Sequence, residues 1–509
     1  MNSFRLANIF SDHMVLQRDK PIKIWGESAD NQTIFVKINF TEVTAEVKDG
    51  KWAVELPPMA ACESCELRVS SSNPVDQEII VHNVAIGEVW VAGGQSNMEF
   101  DLKSDIESDE SIRLADNPFI RFYDCPKTSY EGHEHEEDFS EFGFWRPCDA
   151  KHAPYFSAVG FYFAKKIYEL QQVPVGIIGC TWGGSSASAW MDEKYLAEDQ
   201  QLSVYLHEYE EAVKDLDIEE YELKLRQRQS RMNSPEVMAF IENMRAGRLT
   251  AEQLSELAAL RSQGQTLPPI GPKYFNRPAG LYHHMVEKIS GFTARGIIWY
   301  QGESDEKKAE LYGKLFTALI QCWREAWQDE LPFLFVQLAP YGSWAGATGE
   351  NFPAVREQQE LVSKTVPNAY MASIMDAGME FDIHPKRKRP VGERLALLAR
   401  NKVYGENLIS EAPEVERASR DAGTITITFK NVGNGFVLIG EQINGIKVFI
   451  DNEELVEFKS EAKNNTLTIE SERMQDSEKI EVKFAWTAYV EVNLYSSAGL
   501  PLKPFKLIL

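Results

Sequence analysis

The chain has 509 residues, 43% of them hydrophobic and 26% charged, enough for more than one hydrophobic core. Its formal net charge is −24 and its pI near 4.9. A surface this acidic repels polyanions and argues against a nucleic-acid partner, which needs clustered Lys and Arg. There is no apolar run of about 18 residues, so no membrane span is expected.

The opening, MNSFRLANIFSDHMVLQR, lacks a basic segment followed by a long apolar one. It reads as the start of a folded domain, and a cytoplasmic location is expected, a trimmed secreted form being the alternative. Residues 1–84 then run as short alternating segments such as PIKIWG, TIFVKINF and CELRVSS, broken by Gly, Asp, Asn and Pro. This pattern predicts a β-sandwich-like domain, with a hairpin turn at Lys48-Asp49-Gly50-Lys51. The six cysteines are too few for a disulfide framework. Cys62 and Cys65 have no second pair at zinc spacing and are expected to be free thiols.

From residue 85 the texture changes to continuous apolar strands alternating with helices. IGEVWVAG leads into GQSNMEF, VPVGIIGC into TWGGSS, and GIIWY into QGESD. A long helix is expected through Glu306–Trp327, a strand at LPFLFVQLAP, a helix near 353–365, a last strand at AYMASIMDAG and a last helix at PVGERLALLARNKVY. Buried strands alternating with helices predict a doubly wound parallel sheet of about five strands over residues 85–405. Residues 195–270, rich in Glu, Leu, Arg, Gln and Ala, read as a helical insertion of packed surface helices. From 406 to 509 the pattern is β again, in segments such as TITITFKN and KIEVKFAW, and a second sandwich-like domain is expected.

Ser96 follows Gly93 and Gly94 at the carboxyl end of a buried strand, where open α/β sheets bind ligands. It reads either as a nucleophile or as a turn serine capping a helix. The surrounding block is not a G-x-S-x-G elbow. His384, in DAGMEFDIHP, sits after the last strand, and Asp382 two residues earlier can orient its ring. Gly183 and Gly184 could offer backbone N–H groups to an oxyanion, a helix-entry turn being the alternative, and Gln301 its side-chain amide; Glu303, Ser304 and Asp305 after it read as N-capping residues. The run His133-Glu134-His135-Glu136-Glu137 lacks H-E-x-x-H spacing and reads as a solvated acidic loop. Lys386-Arg387-Lys388-Arg389 reads as a solvated loop face. Trp182, Trp190, Trp299 and Trp344 could stack on a sugar; Trp182 lies at the crevice and is the best candidate, and Trp299 reads as core.

Taken in order, GQSNM, WGGS, WYQGESD and DIHP resemble the blocks of the SGNH-hydrolase superfamily, and more narrowly the sialate O-acetylesterase family. SDHMVLQR with PIKIWG, and NLYSSAGLPLKPF near the end, extend that resemblance over most of the chain. The resemblance implies a flavodoxin-like SGNH hydrolase domain carrying an O-acetylesterase for sugars or oligosaccharides, with no cofactor and no metal. It assigns Ser96 as nucleophile, His384 as base, Asp382 as orienting acid, and Ser96, Gly183, Gly184 and Gln301 to the oxyanion hole. Two blocks depart from the superfamily pattern: Asp-x-His stands for Asp-x-x-His, and Gln-Gly-Glu-Ser for Gly-x-Asn-Asp. Asp376 and Glu303 are therefore alternative acids. Acetylated xylan or another hemicellulose oligosaccharide is the alternative substrate. A non-catalytic carbohydrate-binding protein and a metal-dependent deacetylase are the rival classes.

Overall fold

The computed structural model describes residues 4–245, 247–475 and 477–509. The chain forms two compact units: Met1–Glu222 with Pro269–Tyr300 and Thr317–Phe333, and Leu223–Pro268 with Gln301–Phe316 and Leu334–Leu509.

The first unit is organised by one strand, Ile79–Gly94, buried without a break from Val84 onward. Its early part pairs antiparallel with Cys62–Ser71 and parallel with Val15–Gln17. Its later part lies parallel between Val175–Thr181 and Gly296–Tyr300. Asn117–Asp124 continues the sheet in parallel, and Trp145–Cys148 closes that edge antiparallel. The sheet is thus mixed where a parallel one was expected. The cause is the length of the central strand, which serves the N-terminal strands and the α/β layer together. The boundary expected at 84/85 falls inside it. Glu88, fully buried in this strand, is held by Arg18 at 2.6 Å and Arg295 at 2.8 Å, as a buried charge must be. The helix Ala158–Gln171 is capped by Ser157, whose Oγ accepts the Gly160 N–H at 3.0 Å. Trp299 is core, edge-on to Trp190 and Trp323. The predicted hairpin turn is present, with Asp49 and Gly50 both at positive φ.

The second unit contains the short strands Phe333–Val336 and Ala369–Ala372, joined by Gln337 N–H donating to the Ala372 carbonyl. Its C-terminal part contains an antiparallel pair, Phe436–Leu438 with Leu494–Ser496, and two antiparallel four-stranded sheets. In one, Thr424–Lys430 alternates buried and partly exposed residues, the period-two signature of a strand with one face in the core. Ile425, Ile427 and Phe429 from that sheet share a core with Val448, Val482 and Phe484 from the other.

Residues 195–270 are helical as expected, in segments that include Ile218–Met232, Pro235–Arg245 and Ala251–Ser262. Thr250 and Gln253 form a reciprocal capping box on the last. The helix expected through Glu306–Trp327 is interrupted. Glu303–Leu311 is a 3-10 segment with non-helical Lys308, and the α-helix begins at Tyr312. Buried hydrogen bonds from Gln301 to Asp305 and from Tyr312 to Gln301 hold this entry turn in place of a continuous helix.

Candidate active site

In the first unit Ser96 opens a single helical turn, Ser96–Glu99, directly after the long strand. Gly94 is required there: it has φ +133, and a Cβ would lie 2.2 Å from the Tyr300 carbonyl oxygen. The chain can then turn beside its neighbour, with Gln95 N–H donating to that same carbonyl at 3.0 Å. Ser96 is partly exposed while Gln95 and Asn97 on either side are buried. Gly183 packs against it: a Cβ on Gly183 would sit 3.2 Å from the Ser96 Cβ. The Gly183 N–H donates to Glu99 Oε2 at 2.7 Å, and Glu99 Oε1 lies 2.6 Å from Lys127 Nζ. Gly184, at φ +76, has an N–H with no acceptor among the described residues, and open space where a side chain would be. Trp182 is half-buried and stacks on Phe275, with centroids 5.1 Å apart and planes 6° from parallel. One face of its indole is therefore already covered.

In the second unit Asp382 and His384 form a tight local turn. The His384 N–H donates to Asp382 Oδ1 at 2.8 Å, while that oxygen lies 3.6 Å from the ring Nδ1, an ion-pair distance and not a hydrogen bond. Lys386 Nζ is 3.1 Å from Asp382 Oδ2 and donates to the Arg245 carbonyl at 2.8 Å. Burial pushes the His384 pKa below the ordinary histidine value, against the opposing pull of Asp382, and Lys388 and Lys386 push it the same way as burial. Burial raises Asp382, but His384 and Lys386 outweigh it and hold the carboxyl below its usual range. Trp344 meets the imidazole edge-on at 5.7 Å, and Arg261 of the insertion lies over that indole. An imidazole kept neutral at mid pH, beside an ionised carboxylate, can act as a general base.

Of the alternative acids, Asp376 has both oxygens on Arg394, at 2.6 and 2.7 Å. Glu303 is buried in the 3-10 turn. Gln301 is fully buried, one N–H on Asp305 Oδ2 at 2.6 Å and its Oε1 accepting from the Tyr312 hydroxyl at 3.1 Å. Its amide is therefore fixed in orientation.

Two sequence readings are corrected. Lys386–Arg389 is not a solvated face: Lys388 is fully buried and Lys386 is tied to Asp382, because the loop folds back over the acid. His133 is also buried, stacked on Tyr130 at 4.1 Å, although Glu134–Glu137 around it are exposed. Among the described residues no three His, Cys, Asp or Glu side chains cluster as metal ligands. All six cysteines are free thiols. Sequence reasoning missed Glu99 and Lys127, and read Lys386 only as part of a solvated run. Glu99 had a signal, since it lies three residues after Ser96 and hence on the same face of a helical turn; Lys127 had none.

Residues 237–399 match the family model described as carbohydrate esterase, sialic acid-specific acetylesterase. The sialate O-acetylesterase of Rattus norvegicus is 27% identical over 443 residues, covering 81% of this chain and 76% of that protein. That of Pongo abelii is 24% identical, covering 99% of this chain and 92% of that protein. Among solved structures, a carbohydrate acetylesterase from Xanthomonas citri is 28% identical, with a TM-score of 0.76 and 99% of each chain covered. The mixed α/β architecture is thus shared with a carbohydrate acetylesterase. By family match over residues 237–399, curated relatives and structural likeness together, the chain is a carbohydrate esterase, similar to the sialic acid-specific acetylesterases.

Proposed function

We propose that the protein hydrolyses O-acetyl esters of sialic acids through an acetyl-enzyme on Ser96. Ser96 Oγ attacks the acetyl carbonyl, His384 takes its proton and then delivers it to the departing sugar hydroxyl, and water repeats the cycle with His384 as base. Asp382 supports the imidazolium. The oxyanion is met by the N–H groups of Ser96 and Gly184 and by the Gln301 amide, with Gly183 setting the spacing. The exposed edge of Trp182 borders the sugar. The chemistry asks for no metal or organic cofactor. An SGNH-type doubly wound domain with sandwich-like modules at residues 1–84 and 406–509 is the domain plan proposed, the strand Ile79–Gly94 running across the first boundary.

The observation that carries this reading is Ser96 itself: a half-exposed serine between buried neighbours, against a glycine it nearly touches and a second glycine whose amide has no acceptor among the described residues. The named relatives support the sialate substrate. The Xanthomonas citri relative, called simply a carbohydrate acetylesterase, covers as much of the chain and favours a second reading, another O-acetylated sugar such as a xylo-oligosaccharide. Acetate release from O-acetyl sialic acid and from acetylated xylo-oligosaccharides separates the two. In the same assay Ser96→Ala is expected to lose at least about a thousandfold in kcat with its thermal melt unchanged. Near wild-type turnover of an aryl acetate by that variant refutes the nucleophile.

A further inference from the structure

We infer that Glu99 and Lys127 are positioning residues that hold the Gly183–Gly184 loop in register with the nucleophile while keeping that neighbourhood electrically neutral. The inference rests on the esterase reading above and goes beyond it. Glu99 shares a helical turn with Ser96, and its Oε2 takes the Gly183 N–H at 2.7 Å. The carboxylate therefore ties the nucleophile's turn to the loop after Val175–Thr181. With the Gly183 amide engaged, the neighbouring Gly184 N–H is the one left for substrate.

A carboxylate close to a developing oxyanion is a penalty unless it is compensated. Lys127, 2.6 Å from Oε1, supplies that compensation, and its side chain is only 26% exposed, so solvent screens the pair incompletely. Asp124 and Arg146 pair beside them, and Lys127 and Glu99 both act on the Asp124 carboxyl, which burial pushes above the usual carboxylate range, so Lys127 is the charge that meets Glu99 directly.

Two effects separate from each other. Without the tether the loop drifts, and misplacement of about 1 Å can cost about a hundredfold. Without the ammonium the tether stays but its charge opposes the transition state. The experiment measures kcat and KM on 4-nitrophenyl acetate for Glu99→Ala, Glu99→Gln, Lys127→Met and the Lys127→Met/Glu99→Gln double variant, with thermal melts and Ser96→Ala alongside. Glu99→Ala is expected to lose about thirtyfold in kcat with KM within about twofold, and Glu99→Gln, which keeps an acceptor for Gly183, to recover most of that loss. Lys127→Met is expected to lose about tenfold, and the double variant to regain most of it, because the uncompensated charge is gone. A role in folding alone gives no such rescue. If Glu99→Ala keeps or raises kcat, or the double variant is no better than Lys127→Met, the inference is overturned while the esterase reading stands. If Ser96→Ala stays active, both fall.

Discussion

Changing Asp382 to Asn removes a charge while leaving an oxygen that can accept the His384 N–H, so the turn survives and the electrostatics do not. In the wild type the carboxylate oxygen lies 3.6 Å from Nδ1, and 3.1 Å separates its other oxygen from Lys386. Over 3.6 Å, an ion pair is worth about 1 kcal/mol with water-like screening and about 4.6 kcal/mol at an effective dielectric of 20. The imidazole side chain is 18% exposed, and Lys386 already offsets part of the negative charge, so the support lies between those limits. A loss of about 2–3 kcal/mol, or about thirty- to 160-fold in kcat, follows. The sign of the pH effect is also set. Asp382 favours the charged imidazolium, so its removal lowers the His384 pKa further below the ordinary value, and the acid limb of kcat/KM moves to lower pH. The assay is a pH series on 4-nitrophenyl acetate from pH 4.5 to 9. A variant within twofold of wild type, with an unmoved acid limb, refutes Asp382 as the orienting acid. Glu303 would then be the carboxylate to test, since Asp376 is committed to Arg394.

Gly183→Ala is expected to lose at least about tenfold in kcat with little change in melting temperature, because its Cβ would press on Ser96 from 3.2 Å; kinetics and calorimetry on one preparation check this. Trp182→Ala is expected to raise KM for an acetylated sugar about fivefold or more and leave kcat on an aryl acetate little changed, since the role proposed for the indole is to border the sugar and not to touch a reacting atom. Glu414, gripped by Lys503 at 2.8 Å and by Lys364 and Lys430 at 3.3 Å, has a pKa depressed to about 2 despite burial. Its folded-state pKa lies below the unfolded value, so its stabilisation is present above about pH 4.5 and fades as pH falls toward 2. Glu414→Gln should therefore cost up to about 3 kcal/mol at pH 7, by denaturant unfolding, and progressively less in acid.

Much of this was legible in the residues, for reasons that differ from place to place. The strand through IGEVWVAG and the turn at GGQSNM could be read because buried strands are apolar throughout and tight turns need glycine. Asp382 was expected to accept from the His384 ring; what it accepts is the His384 backbone N–H, because two residues is the reach of an Asp side chain back to a backbone N–H. The length of Ile79–Gly94 was not legible, since the change of texture near residue 85 looks like a boundary while the backbone simply continues. The break at Lys308 was not, because hydrophobic periodicity is insensitive to a 3-10 turn held by buried side chains. The partners Lys127 and Lys386 escaped for a common reason: a lysine in a loop carries no local sign that its ammonium is satisfied by one particular carboxylate. The lysine–glutamate pair in the serine unit joins residues 99 and 127, a separation that no periodic pattern encodes.

Those pairs also bear on how so acidic a chain can host a reaction that develops charge. With a net charge of −24, the background potential opposes an oxyanion and favours an imidazolium. An uncompensated carboxylate beside Ser96 would worsen the first effect. One beside His384 would exaggerate the second, holding the base protonated and idle at neutral pH. In each unit the carboxylate nearest the proposed chemistry is met by an ammonium, Glu99 by Lys127 and Asp382 by Lys386, and Asp376 is met by the Arg394 guanidinium. His384 has its pKa set below the ordinary value by burial and by Lys386 and Lys388, so the ring is neutral and ready to accept a proton. A surface lysine could not do this, because exposed pairs are screened to roughly 1 kcal/mol or less; side-chain exposures of 26% at Lys127 and 13% at Lys386 are what let single charges matter.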